Sequence, residues 1–162
     1  MPISYRGCLM TTQFKDLEAK FQEITTRIVW CTVATVDTQG RPRSRMLHPV
    51  WDGATGWIAT GRHSHKAKHL LANPYVSLTY WDPKHEQTMI DCKAEWQDDL
   101  ETRAWLWKLL KTTPEPVGYD PALFWPSHED ASFGALKLTP WRLEVWSLAA
   151  MAQGKPAEVW HP

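Results

Sequence analysis

What most constrains this chain is a succession of short β-type runs between residues 28 and 148, each ended by a turn signal. Residues 28–37 (IVWCTVATVD), 55–60, 75–81 (YVSLTYW) and 87–96 (QTMIDCKAEW) are rich in β-branched and aromatic residues. Thr38-Gln39-Gly40, Asp52-Gly53 and Asp82-Pro83-Lys84 supply turn chemistry between runs. Residues 41–51 read as one strand, with Arg43, Arg45 and Leu47 on one side and Ser44, Met46 and His48 on the other. Two last strands are predicted at 133–138 and 141–148, around Thr139-Pro140. Strands at such short spacing predict a mainly β fold, a closed or nearly closed antiparallel barrel of six to seven strands with flanking helices.

Helical spacing recurs too rarely for a doubly wound sheet. Phe14, Leu17, Phe21, Ile24 and Ile28 predict an amphipathic helix starting from a hydroxyl cap at Thr11 or Thr12, over about 12–27, that covers one end or face of the sheet. A second, short helix carries Ala67, Leu70 and Leu71 on one side. A third, over 98–111, carries Leu100, Ala104, Trp107 and Leu110, with Asp98 and Asp99 at its positive end. Residues 1–10 read as a loose arm and 114–126 as a Pro-rich aromatic loop. The length of 162 residues fits a single domain, 1–162, with its core at about 28–148.

Eighteen basic residues balance eighteen acidic ones, which argues against a nucleic-acid or anionic-membrane partner. No apolar run is long enough to span a bilayer and no signal-peptide pattern opens the chain, so the expected place is the cytoplasm. Cys8, Cys31 and Cys92 form no close pair, which points to neither a disulfide framework nor a zinc knuckle. Of the eleven tryptophans, most are expected to fill core and strand positions and some to line a flat ligand cavity or a subunit interface.

One stretch carries chemistry. In residues 57–74 (WIATGRHSHKAKHLLANP) a strand ends at Thr60-Gly61, a basic turn follows over Arg62–Lys66, and a short helix begins after it, closing at Asn73-Pro74. Backbone N–H groups at a helix start, the hydroxyls of Thr60 and Ser64 and the charge of Lys66 suit a phosphate. The competing reading is a solvated helix start capped by Ser64. His65 and His69 stand at metal-ligand spacing, but no neighbouring Cys or carboxylate completes a set, so no metal is expected.

The order of these parts resembles the split β-barrel flavoproteins of the pyridoxamine 5′-phosphate oxidase-like family. The resemblance rests on RPRSRML (41–47), on Thr60 with Ser64-His65-Lys66, on LLANPYVSL (70–78), on QTMIDCKAE (87–95) and on LTPWRLEVW (138–146), read as a closing hairpin. It implies FMN held by Arg45, Met46, Leu47, Ala59, Thr60, Ser64, His65, Lys66 and Gln87. Arg45 and Lys66 would grip the phosphate, the backbone at Met46 and Leu47 would line the ring, and Gln87 would meet its polar edge. It further implies a homodimer with the cofactor at the subunit interface and a small-molecule substrate. Phe133 stands where the family has a flavin-side Trp, and no Arg- and His-bearing closing segment follows Trp146. The expected function is therefore an FMN-dependent oxidoreductase acting on something other than pyridoxamine phosphate. The alternatives are a deazaflavin-dependent reductase and a non-enzymatic flavin- or haem-binding module. No residue is singled out as a general acid or base.

Overall fold

The structure, a computed structural model, describes residues 9–11 and 13–162. Six strands of six residues or more carry the sheet: β2 (Cys31–Val36), β3 (Pro42–Leu47), β5 (Thr55–Gly61), β6 (Tyr75–Trp81), β7 (Glu86–Gln97) and β8 (Phe133–Ser147). Three strands of three residues trim it: β1 (Leu9–Thr11), β4 (Val50–Asp52) and β9 (Glu158–Trp160). The helices are α1 (Lys15–Ile28), α2 (His65–Ala72), α3 (Leu100–Thr112) and α4 (Leu148–Ala152).

The strands form one sheet in the order β3-β2-β6-β7-β8, beyond which β8 shares its far edge between β5 and the β9-β1 pair. Every pairing is antiparallel except β1 with β9. The sheet curls but does not close, because among the described residues β3 pairs with β2 alone and β4 with β5 alone. This is a split barrel. Its interior is packed by Val33, Leu78, Tyr80, Ile90, Cys92, Leu138 and Leu143, and Leu17, Phe21 and Ile24 of α1 complete that core. A second cluster, around Leu106, Leu110, Trp57, Phe133 and Ala135, joins α3 to the other side of β5 and β8.

Four expectations need correction. The run 41–51 is two strands, since Pro49 has no N–H to continue a ladder and the chain changes partner at His48-Pro49. The segments around Thr139-Pro140 are one continuous strand, β8, paired with β7 throughout and not a hairpin. Pro140 is tolerated there because a bulge sits beside it and because neither β5, which ends its pairing at Leu138, nor β9, which starts at Leu143, needs its amide. The first helix has no hydroxyl cap. Thr11 belongs to β1, Thr12 lies outside the described residues, and Phe14 anchors the helix start by packing on Phe21 and Trp160. Of the supposed loose arm, Leu9 and Met10 pair with β9, and residues 1–8, with Cys8, lie outside the described residues.

Candidate functional site

The turn from β5 into α2 is set against β8 by a close approach. Thr60 pairs with Gly134, and a Cβ on Gly134 would stand 2.7 Å from the Thr60 carbonyl oxygen and 2.5 Å from the Trp96 ring. The Arg62 amide donates to the Ser132 carbonyl at 2.9 Å. Helix α2 then docks on β2, where His69 Nδ1 and Thr35 Oγ1 lie 3.0 Å apart. Leu70 is buried by this docking, whereas Leu71, expected on the same side, is 90% exposed.

That docking brings Lys66 towards Arg45. Arg45 faces the barrel side of β3, directly across from the buried Val33, and its Nη1 donates to the Val33 carbonyl at 3.3 Å. Burial first, and then neighbouring Arg43, lower the Arg45 pKa. Burial first, and then Arg45, lower the Lys66 pKa. The two cations thus share one partly desolvated region. Among the described residues neither is in an ion pair; Lys66 Nζ donates to Ser64 Oγ at 2.9 Å. The neighbouring cations are engaged. Arg41 bonds Asp37 at 2.9 Å, and Arg62 grips Asp98 at 2.7 and 2.9 Å while lying over the Trp96 ring. Two desolvated like charges without a counter-ion are costly, and an anion between them removes the cost.

Ser64 is the N-cap of α2, but its side chain makes no capping bond, so the first-turn amides stay free of it. Thr60 is buried on the barrel side of β5. Ala59 faces the second cluster and offers a ligand only its backbone. Leu47 packs against the main core. Met46 is 55% exposed on the outer face, where its Sδ accepts from Thr32 Oγ1. His65 is exposed at the start of α2. Among the described residues no strand pairs beyond β3, so its outer backbone edge is open to a ligand.

Gln87 is not brought to this cluster. It pairs with Trp81 and Trp146 on the outer face, because Thr88 and Ile90 take the interior positions of β7. That outer face carries no charged side chain over β2 and β6, while its β7–β8 part carries Asp91, Lys93, Glu95, Arg142 and Glu144. Met46, Thr32, Thr79 and Met89 lie in one register row across four strands. Trp30, Tyr75 and Trp81 stand out, each at least 51% exposed. Sequence reasoning missed this face, although the alternation of residues 75–81 puts Trp81 and Thr79 opposite the buried Tyr80 and Leu78. Most of the tryptophans stand on strands; Trp57 and Trp160 are buried, while Trp30, Trp81, Trp105 and Trp141 are exposed. Phe133 is enclosed by Trp107 and Trp125 and has no open face for a ligand ring. Among the described residues no three His, Cys, Asp or Glu side chains converge as a metal site would need.

The family model described as pyridoxamine 5′-phosphate oxidase matches residues 17–146. A curated relative, the pyridoxine/pyridoxamine 5′-phosphate oxidase of Pseudomonas entomophila, is 36% identical over 66 residues, 40% of this chain and 31% of that protein. The match therefore spans about a third of the relative's length. Among solved structures, a Clostridium acetobutylicum protein related to general stress protein 26 superposes with a TM-score of 0.68 at 17% identity, over 83% of this chain and 90% of the other. A pyridoxamine 5′-phosphate oxidase-related, FMN-binding protein from Nostoc punctiforme gives 0.63 at 20% identity, over 87% of each chain. An F420 reductase gives 0.58 at 18% identity, over 75% of this chain and 94% of the other. These structural likenesses establish the fold.

Proposed function

The chain belongs to the pyridoxamine 5′-phosphate oxidase family, and from that premise we propose that it is a homodimeric FMN-binding oxidoreductase whose substrate is not pyridoxamine phosphate. The observation that carries the reading is the pair of unpaired, partly desolvated cations, Arg45 and Lys66, beside an edge strand with an open backbone. Arg45 suits a forked grip on a terminal phosphate, and Lys66, Ser64 and the first-turn amides of α2 complete the cradle. The ring then lies along β3, against the backbone at Met46 and Leu47. FMN, when bound, supplies hydride or single-electron chemistry. The protein's part is to bind, orient and exclude water.

The position of Gln87 supports the dimer. On its own chain it stands on the outer face, away from Arg45. Association of two copies through the face carrying Met46, Thr79 and Trp81 would put Gln87, the cross-strand neighbour of Trp81, in the interface. The exposed Met46, Tyr75 and Trp81 are the kind of side chain a permanent interface buries. The F420 reductase of the same fold keeps a deazaflavin as the second reading.

Titration with FMN, a deazaflavin and haem, read by fluorescence and absorption, tests the cofactor, and light scattering tests the dimer. The reading expects FMN to bind tightest, to a dimer. Tighter deazaflavin binding reverses the choice of cofactor, and unchanged FMN affinity in Arg45→Ala removes the assignment of the clamp.

A further inference from the structure

We propose that the groove between the β4–β5 hairpin and the start of α3 binds a small zwitterion, a molecule carrying a substituted ammonium and a carboxylate on a short apolar body. The groove is open to solvent, has a volume of about 340 Å³ and shares no residue with the Arg45–Lys66 cluster. Its volume lies at the small end of ligand pockets.

Four groups in it lack partners of their own, and they are of complementary kinds. Asp52 and Glu101 line the groove and, among the described residues, neither forms an ion pair. Lys137 also lines it without a carboxylate partner; its Nζ lies 6.0 Å from the centre of the Trp57 ring. Trp57 pairs directly with Lys137 across β5 and β8. The Trp57 indole is only 9% exposed, lines the groove, and its Nε1 is buried with no acceptor. Trp105 stands edge-on to it at 4.7 Å between ring centres and remains 37% exposed.

Lys137 supplies the charge for the ligand carboxylate, and the buried Trp57 N–H is an unmet demand that an acceptor reaching it would satisfy. Asp52 and Glu101 attract the ammonium, and the open face of Trp105 is a cation-π surface for it. Two carboxylates against one lysine disfavour a simple anion. Lys137 and the Trp57 donor leave a simple cation half matched. No His or Cys joins the carboxylates, which disfavours a transition metal.

The test uses the purified protein with glycine betaine, choline and acetate as probes, followed by calorimetry and tryptophan fluorescence. Betaine is expected to saturate with a Kd on the order of 1 mM, and choline and acetate to bind at least about tenfold more weakly. Trp105→Ala, at an exposed position, is expected to keep the fold by circular dichroism and to lose betaine. Lys137→Gln is expected to erase the preference for betaine over choline. Three results overturn the proposal: no saturable betaine binding, betaine binding equally to Trp105→Ala, or choline matching betaine on the unmodified protein.

Discussion

The indole Nε1 of Trp51 donates to the phenolic oxygen of Tyr80 at 3.0 Å, from β4 into the barrel core. After the chain leaves β3 at His48-Pro49, this bond ties the short β4 strand to β6, with which it makes no ladder. Tyr80 is fully buried, and burial is the first cause of its raised pKa. Tyr80→Phe keeps the ring and removes the acceptor, leaving the indole N–H unpaired. The expected loss is about 1–2 kcal/mol of stability in urea unfolding, with the slope unchanged.

The same indole limits β5. A Cβ on Gly56 would lie 2.8 Å from the Trp51 ring, whose position Tyr80 fixes. Gly56→Ala is expected to destabilise by about 1–3 kcal/mol, by forcing the ring aside. An unchanged melting temperature would show that the ring has room to move.

Arg45→Ala and Lys66→Ala are each expected to weaken FMN binding by roughly 10- to 100-fold, the worth of a charge-assisted bond. Neither is expected to lower the melting temperature of the cofactor-free protein, because each removes one of two repelling charges. FMN affinity should fall as pH rises through the Lys66 pKa, which burial and Arg45 hold below 10.5 in the free protein. In Arg45→Gln that fall should move to higher pH. Both effects are read by fluorescence titration across a pH series.

Asp37 anchors the β2–β3 turn. Its Oδ1 accepts from the amides of Gln39 at 2.9 Å and Arg41 at 3.0 Å, and Gly40 supplies the positive φ of 78°. The bond from the Arg41 backbone is the first cause that lowers its pKa to about 2. A lowered carboxylate pKa stabilises above the unfolded value of about 4, and that stability is lost as pH falls through the folded value. The melting-temperature gap between the unmodified protein and Asp37→Asn should therefore be full at pH 6 and close between about pH 4 and pH 2. A gap that persists at pH 2 argues against the carboxylate as its source.

Trp81→Glu puts a charge among the exposed residues of the outer face without touching the core, since Trp81 is 51% exposed. The expected product is a folded monomer with weakened FMN binding, seen by sedimentation and titration together. A dimer that survives this change places the interface elsewhere.

Local chemistry made the strand positions, the turn at Gly40 and the strand-turn-helix carrying Lys66 legible from residues alone, because alternation and turn residues act over a few positions. Proline misled twice, once hiding a break at Pro49 and once suggesting one at Pro140. What a proline does depends on whether a neighbouring strand needs its amide, and sequence does not name the neighbour. The convergence of Arg45 and Lys66 was expected from the resemblance, but spacing along the chain does not by itself bring them together. Only the docking of α2 on β2 does that, through contacts between residues more than thirty positions apart.

The outer face was hidden for the same reason. Thr32, Met46, Thr79 and Met89 are unremarkable singly and become a surface only when four strands align in register. The sequence by itself determined the class of fold and the kinds of side chain available to an anion. The tertiary structure alone decided which charges lack partners, which glutamine faces away and which glycine leaves room for a turn, because register and packing are cooperative properties of the whole sheet.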